Sequence, residues 1–380
     1  MIFELRQYDK TLLTFDFIEQ KLEGQACKIL SITEQYRSLL PLGMKVSDDG
    51  LLSWLKGRVV PKNREFVHQI LSRYGLDQND TMGIIKLCKG LSLNDSYWVV
   101  EQGFSGKFAD YNLYENSFAR ALALIAYTGY GTSTAKGFSS SPEFTTNGML
   151  RKCWRRLNKK IYLYKGGTTG ASNTGKEPYS EFYAAQIAER MGLNHIPYGL
   201  AKWKDTLCST CELFTNIDTS YVPIYKFVEK ATVTEIAAFL KGLGDKYYDE
   251  FVDMLIFDGL IFNTDRHGGN FGLLVDNKTN KPIALAPIFD NGLSLFNYAM
   301  DDELEDVEKY SKTRGSAFGV SHIEIAKEFI TSRQKAQLRK MINFRFAKHT
   351  RYNLPAKRLK IIEGFLQKRV QELLSLASIE

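Results

Sequence analysis

The chain has 380 residues, 44% of them hydrophobic, 24% charged and 13% aromatic, with only 9 Pro, which supports about two or three folding units and excludes a disordered or fibrous class. Its 50 Lys and Arg against 43 Asp and Glu leave a formal charge of +7, too mild to name a partner class. Five cysteines, Cys27, Cys88, Cys153, Cys208 and Cys211, are an odd and sparse set that argues for a reducing, cytoplasmic setting rather than a disulfide framework.

Residues 1–6 carry Glu4 and Arg6 where a secretory leader needs an apolar stretch, and no run reaches the ~18 apolar residues of a membrane span. Region 1–130 is expected to form an amino-terminal α/β subdomain of unknown role. It mixes short β-rich stretches with a helix over 65–74, entered after Pro61 and stopped at Gly75, and a second helix over about 114–127. Between 131 and 216, loop signals such as Ser139-Ser140-Ser141-Pro142 and Gly166-Gly167-Thr168-Thr169-Gly170 separate strand-like runs. The clearest strand is Ile161-Tyr162-Leu163-Tyr164. A helix is expected over 181–191, capped by Ser180 and stopped by Gly192, followed by strands over 198–203 and 207–214.

From 217 to 380 the apolar spacing of 3.6 predicts mostly helix, with one strand-rich insert after a helix over 249–262. That helix carries the most apolar segment of the chain, 252–262, interrupted by Asp253 and Asp258. The insert opens with the polar loop Asn263-Thr264-Asp265-Arg266-His267-Gly268-Gly269-Asn270. A hairpin follows, with strands over 271–275 and 283–286 around the turn Asp276-Asn277-Lys278-Thr279-Asn280, and it returns Phe289-Asp290-Asn291-Gly292 beside the loop.

Phosphoryl transfer from a nucleotide needs a carboxylate near the attacking hydroxyl, oxygen ligands for Mg²⁺ and a cation on the phosphates. Asp265 and Asn270 have the D-x-x-x-x-N spacing of a kinase catalytic loop, and Asp290 arrives after a two-strand hairpin as a second metal-binding Asp does. A polar loop that merely caps helices uses the same residue types, but not this order and spacing. His267 reads more readily as a hydrogen-bonded structural residue than as a proton carrier, and Arg266 as a bridge to a carboxylate or phosphate or as a structural group.

With Phe289-Asp290, this loop resembles that of the HipA-like kinases, relatives of the phosphatidylinositol 3/4-kinase-like group; the order D-R-H-x-x-N, rather than H-R-D, points to that branch. The resemblance runs from about 137 to the carboxy terminus and is strongest over 257–295. It implies an α+β, two-lobed kinase fold, with a small β-rich lobe over 131–216, a large helical lobe over 217–380 and protein serine or threonine as acceptor. It also implies ATP and Mg²⁺ as cofactors, Asp265 as catalytic base beside Arg266 and His267, and Asn270 and Asp290 as Mg²⁺ ligands.

The phosphate cation that the resemblance requires at a strand end is read as Lys165, with Lys159, Lys160 and Lys176 as competitors. Its acidic partner on the next helix is read as Glu181, with Glu177 and Glu189 as alternatives. The stretch 139–152 occupies the place of the phosphate-covering loop but holds one Gly where protein kinases carry three, so hydroxyls and amides of Ser141, Thr145 and Thr146 are expected to cradle the nucleotide together with Phe214. The family also implies self-phosphorylation at Ser139, Ser140 or Ser141 and a toxin role restrained by a small DNA-binding antitoxin.

Other signals point elsewhere. Cys208-Ser209-Thr210-Cys211 lacks the second pair that structural zinc needs and reads as strand. From Arg333 to Lys360 there are ten Lys or Arg and no acid, while Asp301 to Glu308 holds six acids in eight residues. The basic segment 333–360 is a candidate nucleic-acid contact or a solvated helix face. The rival readings are therefore a lipid or small-molecule kinase and a non-catalytic nucleotide- or nucleic-acid-binding protein.

Overall fold

The computed structural model describes residues 1–20, 24–131 and 141–379. They form a mixed α+β protein of two compact units. One is Met1–Tyr164 with Leu213–Val222 and Leu274–Ile283; the other is Lys165–Glu212, Pro223–Leu273 and Ala284–Glu380. The switch after Tyr164 divides region 131–216 between the units.

In the first unit, β1 (Ile2–Gln7), β2 (Lys10–Gln20), β3 (Gly24–Ile32) and β4 (Tyr97–Glu101) make an antiparallel sheet in the order β3-β2-β1-β4. Phe3 and Phe15 are register partners on its buried side, with stacked rings 5.7 Å apart, the kind of cross-strand pair that fixes register. Beside them Trp98 packs with Leu91, Val100, Phe108 and Leu113, and its indole N–H donates to the Tyr8 carbonyl at 2.6 Å, so the largest buried ring leaves no polar atom unsatisfied.

The remaining strands are β5 (Lys152–Leu157), β6 (Lys160–Gly166), β7 (Gly199–Trp203), β8 (Thr206–Glu212), β9 (Thr219–Pro223), β10 (Gly272–Asp276) and β11 (Lys281–Leu285). β7 pairs antiparallel with β8, and β9 to β11 form a three-stranded sheet in the order β11-β10-β9. Cys208 and Cys211 lie on β8, the first buried with its Sγ donating to the Ala201 carbonyl at 3.4 Å.

Two expected helices are shorter than read. The first spans Val67–Ser72 because Phe66, at φ 64°, takes a left-handed conformation ahead of it; the second is Arg120–Thr128, closed by Gly129. The helix expected from 181 begins four residues earlier, at Glu177, with Pro178 in its first turn. Ser180 is therefore inside the helix and not its cap, and its hydroxyl donates to the Ser294 carbonyl at 3.0 Å.

In the second unit the helix Asp245–Ile261 is buried without interruption from Phe251 to Ile261. The two acids in that stretch are both partnered: Asp253 accepts from Arg333 at 2.8 Å and Gln334 at 2.7 Å, and Asp258 binds Arg266. Phe262 ends the helix at φ 54°, donating its N–H to the Asp258 carbonyl, and its ring joins Phe296 and Phe365 at centroid distances of 5.5 and 5.2 Å.

The acidic and basic runs partly neutralise each other. Lys357 pairs with Glu305 at 3.1 Å and Arg358 lies 3.8 Å from Asp301; beyond the runs, Lys368 pairs with Glu308 at 3.1 Å and Glu363 with Arg345 at 3.5 Å. Arg358 is buried and donates to the Ala299 carbonyl at 3.0 Å. Among the described residues no helix is long and apolar enough to cross a membrane.

Candidate active site

The polar loop begins where the buried helix must end. After Phe262, the side chain of Asn263 spans the turn: its Nδ2 donates to Asp258 at 3.0 Å, and its Oδ1 accepts the Asp265 N–H at 3.0 Å. Asn270 closes the loop by donating its Nδ2 to the Asp265 carbonyl at 2.8 Å, with the Asp265 carboxylate at 3.4 Å. The amide nitrogen of Asn270 is thereby committed, and its Oδ1 is the atom left to offer a cation. His267 is exposed, and its Nδ1 accepts the Gly269 N–H at 3.0 Å; a Cβ on residue 269 would stand 2.8 Å from the imidazole and would displace that ring.

Arg266 is 1% exposed and points away from solvent. It makes a bidentate pair with Asp258 at 2.9 and 3.0 Å, and it donates to the Asn270 carbonyl at 3.0 Å, to the Phe289 carbonyl and to Asn291 Oδ1 at 2.5 Å. Its five N–H donors face five acceptors, a match that only the planar guanidinium fork provides.

Asp290 follows β11 with φ at 55°, a backbone region that Asp tolerates better than most side chains. Its N–H donates to the Tyr198 hydroxyl at 3.2 Å, and its carboxylate contacts Lys165. Lys165, near the end of β6, also lies 3.1 Å from Glu181, whose other oxygen accepts the Asn291 N–H at 2.7 Å. The structure thus gathers Lys165, Glu181, Asp265, Asn270 and Asp290 within the second unit.

Burial would lower the pKa of Lys165, but the carboxylates of Asp290 and Glu181 outweigh it and hold the ammonium above its ordinary value. Burial raises Glu181, with the Lys165 charge opposing. Asp265 is likewise raised, first by desolvation and then by the Asp290 charge, against the lowering effect of His267 and Lys165. A carboxyl raised in this way is suited to proton transfer, because its basicity moves toward neutral pH.

Two of the alternatives for the lysine pair, Glu177 and Lys176, have other partners. Glu177 accepts from the Thr168 hydroxyl at 2.6 Å and the Tyr298 hydroxyl at 2.9 Å, and Lys176 donates to the Asn173 carbonyl at 2.8 Å. The hydroxyls read as a phosphate cradle lie in the first unit and are engaged locally. Ser141 is buried and accepts the Glu143 N–H at 3.3 Å. Thr145 donates to the Leu91 carbonyl at 2.8 Å, and Thr146 donates to the Pro142 carbonyl at 2.7 Å while accepting the Trp154 indole N–H at 2.9 Å. Phe214 packs edge-on against Tyr221 at 5.6 Å. Ser139 and Ser140 lie outside the described residues.

The sequence reading overlooked Asp258, Asn263, Asn291 and Tyr198. Asp258 carried a usable signal, since an acid within a wholly buried helical run needs a charged or hydrogen-bonding partner. Asn291 and Tyr198 act through contacts distant in sequence and left none.

A carboxylate and an amide oxygen form a hard donor pair that fits Mg²⁺, which takes few protein ligands and completes its shell with water and phosphate. Among the described residues no cluster of three His, Cys, Asp or Glu is arranged around a metal position, so any ion here would rest on this mixed pair.

No family model matches the chain. Over 137 residues it is 29% identical to the serine/threonine-protein kinase CtkA of Helicobacter pylori, a match covering 32% of this chain and 42% of that relative's length. Among solved structures, HipA of Shewanella oneidensis, in a toxin–antitoxin complex with HipB and operator DNA, aligns over 99% of this chain and 100% of its own, with a TM-score of 0.52 and 12% identity. The Helicobacter pylori proinflammatory kinase CtkA aligns over 59% of this chain and 90% of its own, with a TM-score of 0.44 and 19% identity. The chain is thus similar in sequence, over about a third of its length, to one serine/threonine-protein kinase, and it shares the fold of a HipA along nearly its whole length.

Proposed function

We propose that the protein is an ATP- and Mg²⁺-dependent protein serine/threonine kinase, with a two-lobed kinase arrangement over 131–216 and 217–380 that follows the amino-terminal subdomain 1–130 in sequence. The observation that carries this reading is the gathering of Asp265, Asn270, Asp290 and the Lys165–Glu181 pair. Bound Mg·ATP supplies the electrophilic phosphoryl group and much of the charge neutralisation. Asp265 orients the acceptor hydroxyl and accepts its proton. Asn270 Oδ1 and the Asp290 carboxylate hold the metal, Lys165 contacts the phosphates, and Glu181 keeps Lys165 in place. Positioning and charge compensation supply the rate, with no covalent enzyme intermediate.

The HipB and operator DNA bound with the Shewanella HipA support extending the reading to a toxin restrained by a small DNA-binding antitoxin. Self-phosphorylation is assigned to the segment Ser139, Ser140 and Ser141; modification of the buried Ser141 would require its turn to open.

A thermal-shift titration tests the site. Mg²⁺ with a non-hydrolysable ATP analogue is expected to raise the melting temperature of the wild type, and Asp290→Asn is expected to remove the Mg²⁺-dependent part of that rise. A wild type unmoved by saturating Mg²⁺ and analogue contradicts the reading.

A further inference from the structure

Asp258 lies at the root of two hydrogen-bonded paths that order the loop 263–270 and the return carrying Asp290, yet it touches none of Asp265, Asn270 and Asp290. It is 3% exposed, in the last turn of the buried helix Asp245–Ile261. One path leads from its carboxylate through Asn263, at 3.0 Å on both sides, to the backbone of Asp265. The other leads through Arg266 to the Asn270 carbonyl and to both neighbours of Asp290, the Phe289 carbonyl and Asn291 Oδ1. Asp290 is held between these two anchors in a left-handed conformation, which persists in a non-glycine residue only when its surroundings fix it.

Stability alone does not account for the Asp258–Arg266 pair. Two buried charges pay a desolvation cost that their attraction roughly offsets, and apolar replacements of similar volume are often neutral or stabilising. What an apolar pair cannot supply is a rigid fork that ties the loop ending at Asn270 to the return carrying Asp290.

We propose that Asp258 is the positioning residue of this site, setting the spacing of Asp265, Asn270 and Asp290 through Asn263 and Arg266. The proposal rests on the kinase reading above for the roles of those three residues. It also makes Arg266 a positioning residue rather than a catalytic one, because its donors are turned inward.

The test uses the full chain with Asp258→Leu/Arg266→Met, which removes both charges together and leaves no buried ion unpaired. Circular dichroism and melting temperature report the fold. Electron paramagnetic resonance reports Mn²⁺ binding in the presence of a non-hydrolysable ATP analogue, and hydrogen exchange reports order at 265–270 and 289–291. The expected result is a folded double variant that binds Mn²⁺ about 10–100-fold more weakly, the loss typical of groups that orient metal ligands, with at least about 10-fold faster exchange in both segments.

A folded double variant with wild-type Mn²⁺ affinity and wild-type exchange overturns the proposal. If the double variant does not fold, Asn263→Ala decides, because it keeps the ion pair and cuts only the path to Asp265. Its turnover is expected to fall about 10-fold or more with the KM for nucleotide unchanged, and unchanged turnover overturns the proposal. A wild type that binds no Mn²⁺ with nucleotide defeats the kinase reading instead, and exchange in the two segments then decides the role of Asp258 by itself.

Discussion

Lys165 Nζ and Glu181 Oε1 lie 3.1 Å apart across 16 residues of sequence, with the Glu181 side chain fully buried and that of Lys165 12% exposed. The same ammonium contacts Asp290, so one cation serves two carboxylates. Removing either member of a buried pair leaves the other charge without compensation.

Lys165→Met is therefore expected to cost about 3–5 kcal/mol of stability, and Lys165→Met/Glu181→Gln to recover most of it. Neither variant is expected to transfer phosphate at better than about 10⁻² of the wild-type rate, since both lack the cation that meets charge on the phosphates. Urea unfolding beside turnover separates the two effects; activity that returns with stability would assign Lys165 a structural role only.

Asp265→Asn preserves shape and removes the base. Turnover is expected to fall about 10²–10⁴-fold with nucleotide affinity nearly unchanged. A variant that loses nucleotide binding together with turnover would place Asp265 in the binding of nucleotide rather than in the proton transfer.

The pH dependence follows from the same carboxyl. Burial raises Asp265, so the acid limb of the turnover profile is expected to have its midpoint above the ordinary Asp value of about 3.9. Activity is present above that midpoint, where the base is ionised, and is lost as pH falls through it. A midpoint at or below the ordinary value contradicts this account of Asp265.

His322 supplies a stability prediction independent of the chemistry. It is buried, its Nε2 has no hydrogen-bond partner among the described residues, and desolvation pushes its pKa down to about 4, with Asp258 raising and Arg369 lowering it. The unfolded imidazole binds a proton below about 6.5 while the folded one does not. Stability is therefore full above that value and falls as pH drops toward about 4, by roughly 3 kcal/mol. His322→Gln should flatten that fall in urea titrations at pH 7 and pH 4.5; an equally steep fall in the variant would assign the acid sensitivity elsewhere.

The first unit carries its own buried pair. Arg64 and Glu143 meet at 2.7 Å with side chains 0% and 1% exposed, and Arg64 also donates to the carbonyls of Thr146 at 3.1 Å and Lys152 at 2.7 Å. Arg64→Met is expected to cost about 3–5 kcal/mol and to speed hydrogen exchange over 142–152. Exchange that stays at wild-type rates in that segment would show that Arg64 does not hold it.

What could be read beforehand follows the range of the interactions involved. β6, β7, β8, the hairpin and the loop 263–270 are set by local alternation, turn residues and spacing, all visible in a single chain. The helix start was misplaced because Ser180 has the look of a cap, whereas its hydroxyl serves a contact with Ser294, 114 residues away. Asp258 was visible only as an interruption in an apolar run, and its partners became identifiable once the loop folded back beneath the helix end. Ser141, Thr145 and Thr146 have the composition of a phosphate cradle, but Ser141 and Thr146 bond within their own turn and Thr145 bonds the Leu91 carbonyl, 54 residues away.

The most direct test of the central claim is transfer of labelled phosphate from ATP with Mg²⁺ to the protein itself and to a cell lysate, with Asp265→Ala run alongside. The account predicts label on serine or threonine of protein in the wild-type reaction and none above background with the variant. Label that persists in Asp265→Ala, or a wild type that labels no protein in either mixture, would contradict it.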